Sequence, residues 1–66
     1  MTISEALDYL NSHVDTLANM ALVNGNPGAQ YVLQLLVCYY SNPAKYEAQV
    51  IALARTFEEK EVLTHA

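Results

Sequence analysis

The sequence predicts an all-α fold, a three-helix antiparallel hairpin or bundle completed by oligomerisation. Three observations predict it. Apolar residues recur at three- and four-residue steps over two long stretches, the signature of helices with one buried side. Two breakers, Asn24-Gly25-Asn26-Pro27-Gly28 and Ser41-Asn42-Pro43, divide the chain into three segments. The middle segment, Ala29 to Tyr40, is apolar on nearly every side and carries no charge, so it belongs in an interior. A chain of 66 residues has little interior to offer. A domain of that size buries only about 60% of its unfolded surface. Two amphipathic helices cover only part of the middle one, and a second copy of the chain is expected to cover the rest.

The first helix is expected over 3–24. Thr2 and Glu5 have the spacing of a capping box, and Ser4 offers a second cap. Ile3, Ala6, Leu7, Leu10, Val14, Leu17, Met20 and Ala21 form one apolar stripe. Ser4, Glu5, Asp8, Asn11, Ser12, Asp15, Thr16 and Asn19 lie opposite. Glu5 and Asp8 also sit in the first turns, where the helix dipole favours negative charge. After it, Gly25 suits the left-handed conformation that closes a helix. Asn26 is placed to cap the next one, with Pro27 at its first position. A turn this short makes the two helices antiparallel neighbours.

The second helix is expected over 27–41. Its polar side is a narrow strip, Gln30, Gln34 and Ser41, flanked by Tyr31, Val37 and Cys38. Leu36 lies well away from that strip and is expected to be fully buried. The β-branched and aromatic content also suits a buried strand, but the length and the flanking caps favour a helix. No charged residue occurs between Asp15 and Lys45. The third helix is expected over 43–60, with Asn42 as cap and Pro43 at its first position. Tyr46, Val50, Leu53 and Phe57 form its apolar stripe, extended by Ile51 and Ala54. Ala44, Ala48 and Ala52 make a separate row, which fits either helix propensity or the close approach of another helix. Glu58, Glu59 and Glu61 crowd the end where the dipole disfavours acids, and 62–66 is expected to be a loose tail. Residues 1–66 are expected to form one helical domain.

Composition narrows the function. Seven acids stand against Lys45, Arg55 and Lys60, a net charge of −4. Three basic residues cannot build the patch that neutralises phosphates, so neither direct nucleic-acid binding nor attraction to an anionic membrane is expected. Cys38 is the one cysteine. It reads as a small hydrophobe, with an intermolecular disulfide or a reactive thiol as the alternatives, and a reducing cytoplasm as its home. The N-terminus lacks a basic leader region, and the Ala29–Tyr40 stretch falls short of the roughly 20 apolar residues that span a bilayer.

No catalytic constellation is evident, and no enzyme activity, cofactor or metal is expected. Glu5, Asp8 and Asp15 lie on a polar face where nothing desolvates them, as acid–base work requires. Gly25 and Gly28 are explained by the turn rather than by a phosphate loop. Ser4, Ser12 and Ser41 lack a base and an orienting group. His65 is read as a solvated residue of the tail. His13 is the most interesting polar residue because it falls on the apolar side of the first helix. It is read as a boundary histidine bonding across an interface, or as a proton switch or ligand contact in a shared cleft. Tyr9, Tyr31, Tyr39, Tyr40 and Tyr46 suit an interface, and a core suits Tyr39, Tyr40 and Tyr46 equally well. Tyr31, beside the Gln strip, is the best placed for a partner contact.

The succession of a capped helix, a Gly-Asn turn, a buried helix, an Asn-Pro break and a third helix is loosely similar to the small, dimeric, helical biofilm and acid-resistance regulators of enterobacteria. Val14, Leu17, Gly25, Leu33, Leu36 and Asn42 carry that likeness. They are core and turn residues and bring no functional signature. The expected function is that of a small acidic homo-oligomeric module that regulates or inhibits another protein by binding it. Accessory factors of phages and mobile elements are an analogy. The rival expectation is a small-ligand binder with a pocket between protomers, lined by His13, Gln30, Tyr31 and Gln34. A purely structural subunit is a third.

Overall fold

The computed structural model describes residues 1–60, and these fold as an all-α chain of four helices. They are α1 (Ile3–Ser12), α2 (Val14–Leu22), α3 (Pro27–Ser41) and α4 (Pro43–Glu59). The expected tail at 62–66, with His65, lies outside the described residues.

Most termini are set by local chemistry. Thr2 Oγ1 accepts the Glu5 N–H at 3.2 Å, and the Glu5 carboxylate accepts the Thr2 N–H at 2.9 Å. Asn26 Oδ1 accepts the N–H groups of Gly28 and Ala29 at 2.9 and 3.2 Å, which satisfies two of the free donors opening α3. Gly25, at φ 64°, reverses the chain between α2 and α3. Asn42 departs from expectation. It occupies the cap position before Pro43, but its side chain caps nothing, and only its carbonyl enters the helix, accepting from Lys45 and Tyr46 N–H.

The helix expected over 3–24 is instead two helices, so the three-helix layout becomes four. His13 leaves helical geometry, at φ −113° and ψ 19°. Its N–H turns to the Leu10 carbonyl at 3.2 Å. The Tyr9 carbonyl, which that N–H would meet in a continuous helix, accepts from His13 Nδ1–H at 2.8 Å. Ser12 Oγ donates to the Asp8 carbonyl at 2.7 Å, a back-bond of the kind that bends helices. Packing gives the bend its purpose: α1 lies against α4, whereas α2 lies against α3. α3 also packs on α4, so the helices form a closed ring in chain order, with no helix packed on its diagonal neighbour among the described residues.

The core draws on every helix. Ala6 and Leu10 come from α1, Leu17 and Ala21 from α2, Ala29, Val32, Leu35 and Leu36 from α3, and Val50 and Ala54 from α4. Leu36 is buried as expected. Val14 was placed in the first apolar stripe, but it follows the bend at once and is 41% exposed. Ala44, Ala48 and Ala52 are exposed, which fits helix propensity and leaves no close helix on that row among the described residues.

Candidate interaction surface

α3 is the element that the rest of the described chain does not fully cover. Its inner side is buried through Ala29, Val32, Leu35 and Leu36. Its outer side presents Gln30, Gln34, Val37 and Ser41, all exposed, with Tyr31 and Tyr40 exposed at the two margins. α2 and the following turn add Leu22 and Val23. The exposures are 81% for Leu22, 75% for Val23, 67% for Val37, 61% for Tyr40 and 52% for Tyr31. All five lie in the charge-free run between Asp15 and Lys45. Because α2 and α3 are neighbours in the ring, they form one side of the molecule that is apolar or neutral beyond Asp15. The other charged side chains among the described residues belong to α1, to α4 or to Lys60 at its end.

The four candidate site residues have separate settings. Gln30 is exposed, and its Nε2 donates to the Ala21 carbonyl at 3.0 Å. That carbonyl is among the last of α2, which have no partner within their own helix. Gln30 therefore ties the end of α2 to the start of α3. Gln34 is exposed one turn further along. Tyr31 faces α4 and, with Gln49, Ala52, Leu53 and Thr56, lines a shallow groove of about 300 Å³. His13 is half-buried at the α1–α2 bend. The length of α2, about 13 Å at 1.5 Å per residue, separates His13 from the Ala21–Gln30 tie. Within one chain the four do not share a pocket.

Tyr9 was not singled out from the sequence. Its ring lies 4.8 Å from that of His13, and its hydroxyl is buried with no hydrogen-bond partner among the described residues. Burial pushes the phenol above its ordinary value, and the nearby Glu58 carboxylate adds to the effect. The four-residue spacing of Tyr9 and His13 was the available signal, since such pairs are neighbours on a helix. A second polar tie joins Asn11 Nδ2 to Tyr40 Oη at 3.5 Å, the outer limit of a hydrogen bond. At the other end of α1, the Thr2 N–H, then the Thr2 hydroxyl, holds the Glu5 carboxyl below its ordinary value.

No group of three or more His, Cys, Asp or Glu side chains is arranged to hold a metal among the described residues. No helix among them is long and apolar enough to cross a membrane. Cys38 is a free thiol, half-buried on α3. No protein-family model, curated protein or solved structure matches the chain.

Proposed function

We propose that this chain is a small acidic interaction protein of the cytoplasm that self-associates and regulates or inhibits another protein by binding it. The observation that carries the reading is the α2–α3 side, where Leu22, Val23, Tyr31, Val37 and Tyr40 are exposed together without an ionised group between Asp15 and Lys45. Exposed apolar side chains concentrated on one side mark interaction sites, and depletion of charge with enrichment of tyrosine is the composition of interface centres. The Gln amides and tyrosine hydroxyls of the face supply hydrogen bonds without charge desolvation.

Val37→Glu tests the reading, because Val37 is exposed and its replacement leaves the core intact. Light scattering coupled to size exclusion should show a self-associated wild type at micromolar concentration. The variant should dissociate at least ten-fold more readily with an unchanged melting temperature. Affinity purification from the native host, with mass spectrometry of bound proteins and small molecules, should recover a partner that the variant loses. A 7.3 kDa monomer at every concentration would refute the self-association, and retention of the partner by the variant would remove the face from the mechanism. Release of a small molecule instead of a protein would favour the ligand-binding alternative.

A further inference from the structure

At His13 the local pattern and the tertiary structure part company. If residues 3–22 ran straight, at about 100° per residue the buried Ala6, Leu10, Leu17 and Ala21 would fall within about 60° of one another. The apolar stripe is therefore continuous through the bend. Asn11 to Asp15 contain neither Gly nor Pro, and the departure from helical geometry is confined to one residue. Beyond its junction with α2 and the Asn11–Tyr40 hydrogen bond to α3, α1 packs on the described molecule only through α4. Ala6 and Leu10 are fully buried, so α1 cannot leave that site without another apolar surface to receive it.

We infer that α1 is an exchangeable arm. His13 straightens, residues 3–22 become one helix, and α1 of each chain packs on α4 of a second copy. The occupant is a second copy because its α4 presents the same surface that α1 already fits. The same contacts are remade across the dimer, so the balance is set by the cost of association against the gain in helix continuity. His13 holds the bent state: its ring occupies the Tyr9 carbonyl, which its own N–H reclaims on straightening. The exchange is independent of whatever the α2–α3 side binds.

His13→Ala and His13→Gly separate this idea from a merely structural role. Both remove the ring bond to Tyr9. Alanine favours the straight helix and glycine disfavours it. Over two hinges the difference in propensity predicts a dimer dissociation constant about thirty-fold lower for His13→Ala. Size exclusion with light scattering reads that ratio. In dimers mixed from isotope-labelled and unlabelled chains, the NMR contacts between α1 and α4 protons should then be intermolecular. Equal dissociation constants for the two variants, or two variants that remain monomers, would overturn the inference. So would a dimer in which α1 stays on its own α4. If such a dimer had Val37 at its interface, self-association would belong to the α2–α3 side alone.

Discussion

Among the described residues, Tyr9 places a buried hydroxyl where no hydrogen-bond partner reaches it, and this sets the sign of two expected outcomes. Tyr9→Phe removes a buried group without a partner while keeping the ring against His13, so it should stabilise the fold by about 1 kcal/mol. Urea denaturation measures it. The wild type should also lose stability in alkali. The unfolded phenol releases its proton near 10.0, whereas the folded one retains it to higher pH. Above the unfolded value the unfolded chain binds fewer protons, and the contribution is lost as pH rises toward the folded value. Tyr9→Phe should flatten that part of the stability–pH curve, and an unchanged curve would count against burial of the hydroxyl. Leu36→Ala should cost about 2–5 kcal/mol, enough to unfold a chain of this size. Leu36 was legible in the sequence because its angular distance from the Gln strip fixes its side of the helix. The role of Gln30 was not, because its partner is a backbone carbonyl nine residues earlier, and only the packing of α2 on α3 brings that atom near.

The helix termini give a contrast between two asparagines that look alike in sequence. Each precedes a proline that opens a helix. Asn26 accepts two backbone N–H groups and Asn42 accepts none with its side chain. Asn26→Ala should therefore lower stability by about 1 kcal/mol, and Asn42→Ala by far less. Thermal unfolding of the pair decides whether the distinction holds. At α1 the lowered Glu5 carboxyl makes the capping box sensitive to acid. Its contribution is present above 4.5 and is lost as pH falls toward the folded value. Glu5→Gln should keep the box and remove that acid dependence. Caps, the turn at Gly25 and the orientation of α3 were readable because neighbours in sequence decide them. The bend at His13 was not readable, because the segment around it is compatible with a straight helix. What selects the bend is the placement of α4, at the far end of the chain, beside α1 and of α3 beside α2.

Across the whole molecule, the dominant feature is the separation of neutral from ionised surface. An association through the α2–α3 side buries apolar groups, so sodium chloride should leave it nearly unchanged while sulfate strengthens it. Sedimentation in the two salts distinguishes this from an association held by ion pairs, which chloride would screen. The same separation has a consequence for a molecule held on a support. Glu5 and Asp8 of α1 and Glu47, Glu58 and Glu59 of α4 give one flank an acidic excess over Lys45, Arg55 and Lys60. A cationic bead or electrode draws that flank toward itself. The protein would then settle in a preferred orientation, its uncharged side turned to the liquid and still open to whatever it captures.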